Sequence, residues 1–331
     1  MNSYTTIDFR LDSPETAGEF ARKRGRTKLK ETSLTRTVVM VGVMVVWASF
    51  YPIIKVTVAD VDPLALSFLR YFFALIPLTP YALYDLRRKG SRPGFADSLG
   101  MGLLGVAGIS AFAVFLFYGI KLSTAVNGAL LTNTQPVFTA ILGPILLAEV
   151  FTARRGVGVL IGLGGMALVV TGGDLSRLAG GGSAVLGNVL LLGASFSLSL
   201  YSVLIKKYVI RYGIVIPTWI SMGVGTIVIA VINLIRHEPS FILAEMNPMS
   251  VFLIVYLGVI GTSLTYLLFN RMLLHMDVVA AISYKMLIPV FGLVLSVLFL
   301  AERPGIPTLV GVGIVLVALG VVQYVPRHAR G

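Results

Sequence analysis

The sequence predicts an all-α membrane protein of ten transmembrane helices, laid out as two inverted five-helix repeats. Three observations predict it: a charge-poor apolar composition, ten apolar stretches of spanning length, and an internal repeat at constant offset. Of the 331 residues, 56% are hydrophobic and 13% are charged, about half the charged fraction of an average soluble domain. The 27 basic and 15 acidic side chains are too few to cover a soluble globule of this size. Disordered chains are poor in hydrophobic residues, so disorder is excluded. Cysteine is absent, which excludes a disulfide-stapled fold and any thiolate metal site.

A bilayer core needs about 20 apolar residues per helix. Ten stretches meet that need, at 37–59, 64–86, 98–120, 123–148, 153–172, 183–205, 215–235, 249–270, 277–301 and 306–325. Turn residues punctuate the connections: Asp62-Pro63, Arg92-Pro93-Gly94, Gly172-Gly173, Gly180-Gly181-Gly182, Asn247-Pro248 and Arg303-Pro304-Gly305. Residues 1–36 form a polar tail, read as a disordered cytoplasmic segment, and 326–331 a short second tail. The tail lacks the apolar core of a cleavable signal peptide. Its run from Arg22 to Lys30 holds six basic residues in nine. That run reads as a flank attracted to anionic lipid, in preference to a nucleic-acid patch.

Basic residues set the orientation. With both ends cytoplasmic, inside segments carry 20 of them, including Arg87, Arg88, Lys89, Arg154, Arg155, Lys206, Lys207 and Arg211. Outside loops carry four: Lys121, Arg177, Arg236 and Arg303. This predicts a multi-pass protein of the plasma (inner) membrane with cytoplasmic termini. The net charge of +12 then serves topology and needs no acidic partner.

The stretch QPVFTAILGPILLAE at 135–149 matches IPVFGLVLSVLFLAE at 288–302. Pro136, Val137, Phe138, Glu149 and Gly158 each recur 153 residues later. A weaker match joins WASFYPIIK at 47–55 to LSLYSVLIK at 198–206. The halves are 37–172 and 183–325. Five helices per half is odd, so the second half enters the membrane upside down. Inverted repeats are the common plan of secondary transporters, with substrate near the midplane between the halves.

On four features the chain resembles the drug/metabolite transporter superfamily, in its ten-helix EamA branch. They are Trp47 with Pro52 and Lys55 in helix 1, FLRYFFALIPL at 68–78 around Arg70, and the two Pro-Val-Phe to Ala-Glu stretches ending helices 4 and 9. The resemblance covers about residues 37–325 and leaves the tail unexplained. It implies a bundle around a central cavity, helices 5 and 10 at the periphery, and export or exchange of small polar metabolites. It also implies a recurring structural arginine at Arg70.

Lys285 is the most informative candidate. It lies eight residues into helix 9, a depth of about 12 Å in a core about 30 Å thick. A charge there costs at least a few kcal/mol and should face protein or water. All 15 acids fall in the tail, in loops or at helix ends. Lys285 therefore reads as a fixed cation for a substrate carboxylate or phosphate. The plainer alternatives are bonding to backbone carbonyls, or loss of its proton on burial. Thr132, Asn133 and Gln135 precede Pro136, whose ring frees a carbonyl of the preceding turn, so they are candidate polar contacts. Interhelical hydrogen bonding is the competing role. Thr132 is the repeat counterpart of Lys285. Trp47, Tyr201 and Tyr284 are the expected cavity aromatics. Pro136 and Pro289 are expected structural or gating breaks. Glu149 and Glu302 are expected to cap helices 5 and 10, since a carboxylate is favourable at a helix N-terminus.

The leading functional expectation is a secondary transporter of amino acids or drug-like metabolites working by alternating access. A phosphorylated-metabolite or sugar exchanger is the alternative; such relatives carry more than one cation on helix 9, whereas Met286 follows Lys285 here. A non-transporting scaffold or sensor subunit, which the glycine-rich faces would suit, is a third reading, and a homodimer is a candidate assembly. GMGLLG at 100–105 matches a dinucleotide fingerprint but sits in an apolar run without a preceding strand. No cofactor, metal, enzyme activity or nucleic-acid partner is expected.

Overall fold

The computed structural model describes residues 33–57, 61–89, 92–123, 125–149, 152–174, 176, 182–236, 246–300 and 304–323. Ten helical passes follow the ten apolar stretches. They are α1 (Ser33–Ala48, continued by Phe50–Thr57), α2 (Pro63–Lys89), α3 (Phe95–Leu122), α4 (Ala125–Thr132 and Gln135–Leu147), α5 (Ala153–Thr171), α6 (Gly182–Tyr212), α7 (Val215–Ile235), α8 (Pro248–Leu273), α9 (Val278–Ser283, Tyr284–Met286 and Leu287–Leu300) and α10 (Ile306–Gln323). Among the described residues, nine of them are long and apolar enough to cross a membrane, and Leu34–Ala48 is a shorter apolar helix. Large apolar side chains such as Ile145, Leu298 and Val185 lie exposed. Only lipid makes that arrangement favourable.

The helices pack in pairs, and each pair has a counterpart five helices away. α3 packs on α6 and α1 on α8; α4 packs on α6 and α1 on α9; α3 packs on α7 and α2 on α8. α5 packs mainly on α10, through Gly158, Gly162, Gly165 and Gly311. The other side of α10, with Leu309, Leu316 and Val317, is exposed. Among the nine spans, α9 is the most enclosed, with 67% of its apolar window buried, and α5 the least, with 28%. The helix carrying Lys285 therefore lies in the middle, with α5 and α10 outside.

Both repeats contain a π-helical turn at the same place. Val106–Ala111 interrupts α3 and Val259–Leu264 interrupts α8. The two turns are 153 residues apart and begin GVAGIS at 105–110 and GVIGTS at 258–263, a match in helices 3 and 8 that the PVF stretches had not exposed. The glycines explain it. A methyl on Gly108 would strike Tyr201, and one on Gly261 would strike Phe50. The Tyr201 side chain of α6 and the Phe50 ring of α1 thus lie directly against the backbone of the two turns, where only glycine leaves room.

Two expectations are corrected. The charged pair Lys206-Lys207 was read as the loop after helix 6, but α6 runs on to Tyr212. Lys206 is 7% exposed and ion-paired, so its charge is neutralised inside the bundle and the helix does not stop. Second, Glu149 caps α9 instead of α5. Its Oε2 accepts from the Val278 amide at 2.9 Å, while Thr152 is the N-cap of α5 and accepts from Arg155. Glu302 and the tail up to residue 32 lie outside the described residues.

Candidate functional site

The central site is built where α4 and α9 break. In α4 the helix stops at Thr132 and restarts at Gln135, with Pro136 in the new first turn. In α9 a single 3-10 turn, Tyr284–Met286, precedes Pro289. Proline has no N–H to give and clashes with the carbonyl four residues back, so each break frees the turn before it. Thr132 and Lys285 stand at those positions.

Lys285 is 8% exposed, and its Nζ donates to Gln135 Oε1 at 2.7 Å. The same Nζ lies 4.7 Å from the Trp47 ring centroid and 5.8 Å from that of Phe269. A desolvated cation on such faces gains on the order of 2 kcal/mol. None of the ion pairs between described residues involves Lys285. Gln135, 1% exposed, is fixed from behind. Its Nε2 donates to Ser202 Oγ at 3.2 Å, and its main-chain oxygen accepts from Ser199 Oγ at 3.1 Å. Thr134 Oγ1 donates to Ser195 Oγ at 3.1 Å. Ser195, Ser199 and Ser202 line one face of α6 at helical spacing and stitch it to the α4 break. Sequence reading missed this stripe, although the spacing of serines in SFSLSLYS at 195–202 carries it.

Aromatic rings surround the cation. Trp47 Nε1 donates to Thr265 Oγ1 at 3.0 Å and to the Gly261 carbonyl of the π turn at 3.3 Å. Trp47 packs on Phe269 at 5.6 Å and edge-on to Tyr266 at 6.2 Å; Tyr266 meets Tyr201 at 6.2 Å. Tyr201 shares a 3.3 Å hydrogen bond with Ser221. The structure thus brings together Lys285, Gln135 and Trp47, with Tyr201 reached through Tyr266. It does not bring in the other three polar candidates. Tyr284 shares a 3.2 Å hydrogen bond with Thr37 and ties α9 to the start of α1. Thr132 Oγ1 and Asn133 Nδ2 each donate at 2.6 Å into their own helical turn, to Gly128 and Ala129. Tyr266 and Phe269 are additions; both stand in apolar α8, where no pattern separates lining from packing.

One helical turn and more from Lys285, toward the α9 N-terminus, the bundle is closed by charge. Lys206 Nζ binds Glu149 Oε1 at 2.6 Å and the Met276 carbonyl at 2.9 Å. Arg155 binds Asp277 at 2.8 Å. Glu149 therefore holds α6 and the first turn of α9 at once. Asp97, on the same side, is held by Arg211 at 2.8 Å and by the Tyr212 hydroxyl. Facing the opposite side, Asp62 pairs with Arg236 at 3.1 Å. A shallow apolar groove between α2 and α8, lined by Pro77, Leu78, Tyr81 and Leu267 and with a volume of about 290 Å³, faces outward from the bundle and is separate from this centre. Among the described residues, no three His, Asp or Glu side chains converge as a metal site would need.

A ten-helix apolar bundle, broken at its centre beside the buried Lys285, is the frame of a multi-pass membrane transporter. The EamA-like transporter family matches residues 36–171 and again 185–324, and the chain belongs to it. The chain is 26% identical over 275 residues to an uncharacterized transporter of Archaeoglobus fulgidus, covering 83% of this chain and 92% of that one. It is 27% identical over 272 residues to the uncharacterized transporter YdfC of Bacillus subtilis, covering 82% and 85%. A WAT1-related chloroplastic protein of Arabidopsis thaliana is 26% identical over 288 residues, covering 83% and 67%. One solved crystal structure superposes with a TM-score of 0.73 at 17% identity, over 91% of this chain and all of the other; that likeness concerns the fold.

Proposed function

We propose that this membrane protein is a secondary transporter that moves small polar metabolites, such as amino acids or drug-like compounds, by alternating access around Lys285. The observation that carries the reading is the central lysine itself: buried, bonded to a neutral amide, flanked by rings and paired with no acid among the described residues. A buried ammonium without a counter-ion costs several kcal/mol, which a substrate anion offsets on arrival. The Glu149–Lys206 pair with its bond to Val278 serves as the gate of the side it closes. The 20-to-4 distribution of basic residues supports a cytoplasmic position for that gate, and an inner membrane with both termini inside. Between the gate and Lys285 no described acid or histidine is placed to relay a proton, which supports uniport or exchange over proton coupling.

The test is counterflow in proteoliposomes loaded with a mixture of unlabelled metabolites. Saturable uptake of a labelled member is expected without an imposed pH gradient. Lys285→Ala should lower it by about tenfold or more, the scale of one lost charge-assisted contact. Uptake that needs a proton gradient contradicts the coupling reading, and uptake unchanged in Lys285→Ala contradicts the site.

A further inference from the structure

Arg70 is a second cation inside the bundle, and the geometry around it continues from Lys285. On α2, Tyr71, Ala74 and Leu78 are 0–1% exposed, whereas Phe72 and Ile76 are exposed toward lipid. Arg70 shares its face with Ala74, one turn on, and lies nearly opposite Phe72. Its guanidinium stands 4.4 Å from the Tyr71 ring and 5.5 Å from the Phe50 ring. None of the ion pairs between described residues involves it. Its Nε and the Tyr71 hydroxyl are both buried without a hydrogen-bond partner. Tyr71 is 0% exposed. Unsatisfied polar atoms in a membrane interior are costly unless a ligand meets them.

Tyr266 joins this group to the centre. It packs with Tyr71 in one apolar cluster and with Trp47, Tyr201 and Phe269 in another. An unbroken series of rings therefore runs from Arg70 through Tyr71, Tyr266 and Trp47 to Lys285. The two cations stand at different depths. Arg70 is seven residues from the outer-side end of α2, and Lys285 seven residues from the gate-side end of α9. Each Cα is thus about 10 Å inside its own surface, which offsets the two backbones by about 10 Å along the normal of a core about 30 Å thick. The cations rest on different rings, Arg70 on Tyr71 and Phe50 and Lys285 on Trp47 and Phe269.

We infer that Arg70 and Lys285 are successive stations for an organic monoanion with a flat apolar body, and that Tyr266 is the surface between them. This rests on the transport reading above and adds the substrate class. One ammonium with a neutral amide balances one negative charge, so a carboxylate or sulfonate suits Lys285 and a dianion is left half-neutralised. The rings take the flat body by stacking.

The chain has two tryptophans, so Trp219→Phe leaves Trp47 as the reporter beside Lys285. The probe is 4-bromobenzenesulfonate, which stays ionised and does not cross lipid as a neutral acid; its bromine quenches a tryptophan in contact. The neutral 4-bromobenzenesulfonamide and the cation 4-bromobenzylammonium are the controls. In detergent, saturable quenching is expected from the sulfonate, with both controls weaker by about tenfold or more. Lys285→Gln should abolish the preference and Lys285→Arg should keep it. Arg70→Gln should leave equilibrium quenching within about twofold but lower sulfonate entry into proteoliposomes about fivefold or more, and Arg70→Lys should restore entry. Equal quenching by all three probes on the otherwise unaltered chain overturns the anion preference, whatever the variants do. Loss of quenching in Arg70→Gln equal to that in Lys285→Gln, or entry unaffected by Arg70→Gln, overturns the two stations. Charge-selective quenching with no flux of any solute refutes the transport reading and leaves the anion site standing. Counterflow of neutral or cationic solutes without sulfonate quenching refutes the anion site and leaves transport standing.

Discussion

Phe50 in the first repeat and Tyr201 in the second occupy equivalent places, each pressed against the glycine of a π turn, Gly261 and Gly108 respectively. What they meet differs. Phe50 lies under the Arg70 guanidinium, whereas Tyr201 turns its hydroxyl to Ser221, whose carbonyl faces Gly105 as that of Arg70 faces the equivalent Gly258 in the other half. The same asymmetry recurs at the broken helices, where Thr132 bonds its own turn and Lys285 reaches across to α4. The lesson is that steric contacts, which set how helices cross, are kept in both halves. Charge is not: Arg70 and Lys285 have the neutral Ser221 and Thr132 at the matching places, so two sterically similar halves differ in the polar groups they carry.

The comparison predicts effects of graded size. The effect at the Glu149–Lys206 pair is the largest. Removing one partner, as in Lys206→Met, leaves Glu149 charged and buried, and should destabilise the protein by about 3–5 kcal/mol, read as a lower midpoint of thermal unfolding in detergent. Exchanging both charges, Glu149→Lys with Lys206→Glu, should not restore stability. A cation at the amino end of α9 opposes the helix dipole and cannot accept from the Val278 amide. Full recovery would show that Glu149 acts only as an ion-pair partner.

Next come the π turns. Gly108→Ala should cost about 1–3 kcal/mol by overpacking, because its methyl meets the Cβ and Cγ of Tyr201, which are fixed to the backbone. Gly261→Ala should cost less, because it meets only the far rim of the Phe50 ring, which can turn aside; an equal or larger cost would show that Phe50 is held as rigidly as Tyr201. The smallest effect belongs to the hydroxyl. Tyr201→Phe makes the second repeat resemble the first at this position and should cost about 1 kcal/mol, one hydrogen bond to Ser221.

These terms also mark what the sequence could carry. Spans and repeat were legible because lipid imposes long apolar runs and the PVF stretches recur intact. Lys285 was legible because a charge at that depth is conspicuous, and Gln135 and Trp47 do stand beside it. Tyr284, Thr132 and Asn133 lay close to Lys285 in sequence or repeat register, but a helix sends neighbouring side chains to different faces, and these three bond elsewhere. The extent of α6 was hidden because the burial of Lys206 depends on Glu149, 57 residues away. The true partner of Glu149 was hidden for the same reason: the Val278 amide is near it only after the halves have packed. The π turns had a signal, GVAGIS and GVIGTS, that becomes readable once helices 3 and 8 are known to be equivalent.

The central claim is that one cation, not its repeat counterpart, anchors the substrate. Counterflow with Lys285→Ala and Thr132→Ala, prepared side by side and matched for thermal stability, tests it most directly. Transport lowered about tenfold or more in Lys285→Ala and kept within about twofold in Thr132→Ala is the predicted result. Equal losses in both, or full transport in Lys285→Ala, would contradict it.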